Sequence, residues 1–100
     1  MAQILVTATT ATSPKQVSSV MKQFRNALVI AQKSLDGAAA GKTNTGIVYL
    51  GQSATADEQP IAMSPGDERV FAAPAGAMWD LSQWYMAVAS NGDGLVIIYQ

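Results

Sequence analysis

Trp84-Tyr85-Met86-Ala87-Val88-Ala89-Ser90-Asn91-Gly92-Asp93-Gly94-Leu95-Val96-Ile97-Ile98-Tyr99 is the stretch that decides the fold. Its first six residues alternate about an extended chain. Trp84, Met86 and Val88 fall on one face; Tyr85, Ala87 and Ala89 fall on the other. Its last six, from Gly94 to Tyr99, are rich in the β-branched residues that suit a pleated sheet. Between the two runs, Asn91-Gly92-Asp93-Gly94 offers residues that tolerate positive φ, which predicts a tight β-hairpin.

The same punctuation continues upstream. Gly46-Ile47-Val48-Tyr49-Leu50-Gly51 is a β-branched and aromatic run between glycines; both of its faces are apolar, which predicts a central strand. Pro60-Ile61-Ala62-Met63 reads as a short extended piece, and Ser64-Pro65-Gly66-Asp67 as a turn, with proline presetting φ and glycine tolerating the third position. Residues 68–73 alternate as a further strand, and Pro74-Ala75-Gly76-Ala77 is a loop. Short strands joined by Gly/Pro turns predict an all-β, antiparallel sandwich of jelly-roll type, a single domain spanning 1–100.

Residues 3–10 are β-like, with Ile4, Val6 and Ala8 alternating against Leu5 and Thr7, and 1–12 reads as an extended arm. The next segment supports two readings. Ser13-Pro14-Lys15-Gln16 resembles a helix start, and Val17, Val20, Met21, Phe24, Leu28, Ala31 and Leu35 follow helical spacing, which would give one short N-terminal helix. Ala27-Leu28-Val29-Ile30-Ala31 is equally a compact apolar run, and 26–34 can form a buried strand pairing with 46–51. Residues 35–45, rich in Ala and Gly, read as a long mobile loop.

The chain has neither histidine nor cysteine. That removes the commonest general base near neutral pH, the usual nucleophile pairs, and the commonest metal ligands. No enzyme, cofactor or metal centre is expected. Net charge is −1, with no clustered basic face, so no nucleic-acid partner is predicted. The N-terminal residues form neither a signal peptide nor a membrane span, which predicts a soluble chain made in the cytoplasm, with no membrane partner. Charged residues are 13% of the chain, against roughly 25% in an ordinary soluble domain. A small domain exposes most of its residues, so a surface this poor in charge suits burial against other proteins.

Four motifs suggest chemistry and fail on detail. Asp36-Gly37-Ala38-Ala39-Ala40-Gly41-Lys42-Thr43 is one residue from a phosphate-binding loop, but a carboxylate stands where the first glycine must wrap the phosphates, and the chain then enters a strand rather than a helix. Asn91-Gly92-Asp93-Gly94 offers one carboxylate, too few for a calcium loop. Asp57-Glu58 and Asp67-Glu68 sit in or beside turns, where solvated carboxylates are the default. Tyr49, Trp79, Trp84 and Tyr85 could stack on a sugar, although aromatic residues in a small sheet more often fill its core or an interface.

Asn44-Thr45-Gly46-Ile47-Val48-Tyr49-Leu50-Gly51 resembles the N-T-G-x-V-Y segment of small tailed-phage virion proteins. In those chains it follows an L-x-I-x-A strand, matched by Leu28-Val29-Ile30-Ala31, and precedes a P-G turn, matched by Ser64-Pro65-Gly66-Asp67. Asp80-Leu81-Ser82-Gln83-Trp84-Tyr85-Met86 and Gly92-Asp93-Gly94 before the last strand complete the pattern, which covers residues 26–100. The Ala-rich 36–43 and the helix-like 14–25 depart from it. The resemblance favours a strand at 26–34. It implies a β-sandwich or jelly-roll capsid cement (decoration) protein, a trimer that binds the major capsid protein on the outside of the virion. The alternative is a minor head or tail accessory domain that binds host-surface carbohydrate. The residues expected at the partner contact are Ile4, Val6, Leu35, Lys42, Asn44, Trp79, Trp84 and Tyr85.

Overall fold

A computed structural model describes residues 2–7, 13–31, 44–55, 58–90 and 92–100. Ten strands run through them: β1 Ala2–Thr7, β2 Lys15–Gln16, β3 Gln23–Phe24, β4 Asn26–Ile30, β5 Val48–Gly51, β6 Ile61–Met63, β7 Glu68–Ala72, β8 Trp79–Asp80, β9 Tyr85–Val88 and β10 Gly94–Tyr99. A single 3-10 turn, Leu81–Gln83, is the helical element among the described residues.

The pairing is nested. β1 pairs with β10, β2 with β9, β3 with β8, β4 with β7 and β5 with β6, all antiparallel. The chain is thus one long hairpin folded back on itself. Two further ladders, β10 with β4 and β5 with β9, wind that hairpin into two four-stranded sheets, β1-β10-β4-β7 and β2-β9-β5-β6. This order is that of a jelly roll. The two-residue pair β3·β8 forms a third small sheet.

Period-two alternation explains the layers. From the first sheet, Ile4, Val6, Ala27, Val29, Leu95 and Ile97 face inward; from the second, Val48, Leu50, Met63, Met86 and Val88 meet them. The Ser64–Asp67 turn forms as expected: Asp67 N donates to the Ser64 carbonyl (2.9 Å), and Gly66 takes φ 97° between them.

Several expectations change. No helix forms at 13–31: Val20 and Met21, which a helical face would bury, are 57% and 71% exposed, while Val17 and Phe24 are buried from short extended segments. Residues 26–30 are a strand, yet β4 pairs with β10 and β7 rather than with β5, which lies in the other sheet. The turn at 90–94 reverses the chain, with Asp93 N donating to the Ser90 carbonyl (3.3 Å), but it is no hairpin: β9 and β10 belong to different sheets. Nor are residues 2–7 an arm, because they pair along their whole length with β10. The rest of the expected arm, 8–12, and most of the expected loop, 35–43, lie outside the described residues.

Candidate functional site

Two polar side chains tie the 44–46 segment to the turn before β10. Asn44, buried, donates from Nδ2 to the Gly94 carbonyl (2.7 Å) and accepts from the Gly94 N–H at Oδ1 (2.9 Å). Asp93, also buried, accepts from the N–H groups of Thr45 (3.1 Å) and Gly46 (2.8 Å). Gly94 is required here because a Cβ would collide with the Val6 carbonyl. The Asn44-Thr45-Gly46 motif and the Gly-Asp-Gly motif are therefore two halves of one structural clamp. Asp93 spends its carboxylate on backbone N–H groups, as a capping residue does, and among the described residues no three of His, Cys, Asp and Glu gather as a metal site.

Asp80 plays a similar part at the 3-10 turn. Its Oδ1 accepts from Ser82 N (2.9 Å), Ser82 Oγ (2.9 Å) and Lys22 N (3.1 Å). The Ser82 N–H does most to hold the Asp80 carboxyl below its ordinary value; partial burial pushes the other way, and the Lys22 N–H and Ser82 hydroxyl add to the lowering.

The tryptophans close one end of the sandwich. Trp84 is buried and stacks on Trp79 (centroids 5.0 Å apart, 16° between planes), while Phe71 touches both rings and Phe24 lies against Trp79. Trp84 Nε1–H finds no hydrogen-bond partner among the described residues. This cluster is core, bridging β3·β8 to both sheets, and offers no bare ring face on Trp84 to a sugar. Tyr85 differs. It points outward from β9 and, with Gln52, Ser82 and Gln83, lines an open cleft of about 450 Å³. Amides, hydroxyls and one aromatic ring, with no charge, can hydrogen-bond and stack on a neutral polyol.

The two sheets also have outer sides, at whose centres Val96 and Ala87 are buried. On the first sheet the register sets Leu5, Val96, Ile30 and Glu68 in one row, and Gln3, Ile98, Leu28 and Val70 in the next. Val70 is 75% and Leu5 41% exposed. On the second sheet, Gln16, Tyr85 and Gly51 form one row and Ala87, Tyr49 and Ala62 another, with no charge in either.

Of the expected contact residues, Val6, Asn44 and Trp84 are buried within the fold, Ile4 and Trp79 pack against its core, and Tyr85 is half-buried in the cleft. Burial removes the first three from any contact surface of this fold. Leu35, Lys42 and the Asp36–Thr43 near-match to a phosphate loop lie outside the described residues. The exposed apolar residues Leu5, Val20, Met21, Ile47, Val70 and Met78 are not among the expected contact residues; only Leu5 and Val70 of these lie in strands. No helix among the described residues is long and apolar enough to cross a membrane. No family model, curated protein or solved structure matches the chain.

Proposed function

We propose that the protein is a structural component of a virion, a cement protein that binds the major capsid protein on the outside of the shell and tightens it. The observation that carries this reading is the near absence of charge on both outer sheet faces, where the first sheet holds only Glu68 in its two central rows and the second holds none. Faces of this kind can be buried against another protein without stranding a charge, which is costly. The resemblance of residues 26–100 to tailed-phage virion proteins points the same way, and the trimer it implies suits a position where shell subunits meet. No catalytic step belongs to this function. Stabilisation follows from linkage: a protein that binds only the assembled shell favours assembly.

Quantitative mass spectrometry of purified particles tests the proposal. Copies near the number of major capsid proteins are expected for a cement protein, and absence from the particle overturns the reading. The cleft at Tyr85 favours a second reading, an accessory domain that binds neutral saccharides. In that case Tyr85→Ala abolishes glycan binding on an array while the chain remains folded, and only a few copies per particle are found.

A further inference from the structure

Among the described residues the two large sheets have four edge strands, β1, β7, β2 and β6, and an edge strand offers unpaired N–H and C=O groups to any passing chain. Three of the four are blocked. β2 has two residues, follows Pro14, and carries Lys15 on the inward side, opposite the buried Met86. β7 sets Arg69 on the inward side, opposite the buried Val29, beside Glu68. β6 has three residues, with Pro60 before it and Pro65 two residues after it. Inward-pointing charge, shortness and proline are the usual means of refusing a further strand.

β1 has none of these. It is six residues long, Ala2-Gln3-Ile4-Leu5-Val6-Thr7, without charge or proline. Its outward groups can be assigned. The Thr7 carbonyl accepts from Lys15 Nζ (2.8 Å), so it points away from β10. Alternation along an antiparallel strand then turns the N–H and C=O of Leu5 and Gln3 to the same free side.

We propose that this edge pairs with the same edge of a second copy of the chain, antiparallel about a two-fold axis at Leu5. The arrangement is self-complementary. Leu5 of one copy exchanges both hydrogen bonds with Leu5 of the other, and Gln3 faces Thr7 on either side. The Lys15 ammonium stays at the rim, and the Thr7 carbonyl's second lone pair accepts the opposing Gln3 N–H. Pairing also extends the outer face. The row of exposed Leu5, buried Val96 and half-buried Ile30 in each copy runs on into that of the other, with Glu68 at each end. No charge is buried in the process, whereas pairing through β2 or β7 buries one. Among the described edges, β1 alone thus permits a continuous eight-stranded sheet. The contact is independent of the capsid reading.

Sedimentation equilibrium combined with amide hydrogen exchange tests it. The unaltered chain is expected to show twice the mass of Leu5→Lys, which sets two ammonium groups against each other and weakens self-association about tenfold or more. Val70→Lys, on the same face but far from the edge, is expected to leave the mass unchanged. The Leu5 amide, free in a single copy, is expected to gain protection as concentration rises. A chain that stays monomeric to millimolar concentration, or an oligomer that persists in Leu5→Lys while the Leu5 amide of the unaltered chain exchanges freely at every concentration, overturns the proposal and leaves the particle measurement untouched. If Leu5→Lys does not fold, the exchange of the Leu5 amide in the unaltered chain decides.

Discussion

Asn44 and Asp93 take the place of strand partners at the start of β10. Asn44 serves both backbone groups of Gly94, so Asn44→Ala leaves a buried N–H and a buried C=O unpaired, a loss of about 2–3 kcal/mol. A lower urea midpoint with an unchanged slope is the expected result. Asp80 gives a pH signature. Its carboxyl is held below the ordinary value by the Ser82 N–H above all, so the charged form favours the folded state. That contribution is complete above the unfolded carboxyl's value of 3.8 and is lost as pH falls through the lowered folded value. Urea midpoints measured from neutral pH down to acid are expected to fall less steeply in Asp80→Asn than in the parent. The Asn-Thr-Gly and Gly-Asp-Gly motifs were visible in the sequence, but their joint purpose was not, because residues 44 and 94 become neighbours only when the two sheets close.

Strands announced themselves better than partners did. Alternation at 84–89 and 68–73 and the β-branched run at 94–99 mark strands, and β9, β7 and β10 occupy those segments. Nothing in a period-two pattern says which strand lies alongside, so 90–94 was read as a hairpin although its flanking strands part into separate sheets. Helical spacing at 17–31 is a coincidence of apolar positions; the exposure of Val20 and Met21 shows that those side chains have no common face to bury. The contrast between edges makes its own prediction. Arg69 guards β7, so Arg69→Val removes the inward charge and is expected to increase aggregation, seen as rising light scattering on concentration, with little change in the urea midpoint.

For the molecule as a whole, nested pairing makes nearly every ladder long-range, and the outermost joins Ala2 to Tyr99. Closing such loops before any contact rewards them is slow, so folding in the millisecond-to-second range is expected in stopped-flow refolding, far slower than for helical chains of this length. Deleting residues 1–7 does not trim an arm. It removes a partner of β10 and uncovers Leu95 and Ile97, whose burial Ile4 and Val6 complete. The shortened chain is expected to lose its cooperative thermal transition by circular dichroism. The two-fold contact at Leu5 would disappear with it. The same nesting has a bearing on synthesis. A ribosome delivers β1 first and β10 last, so the pair that seals the outside is the final one available, while β5 and β6 can meet midway. An unfinished chain therefore carries β1 with both of its sides uncovered until β10 emerges, among other copies emerging from the same message. The feature that lets two finished molecules join is, during that interval, a route by which nascent ones can entangle.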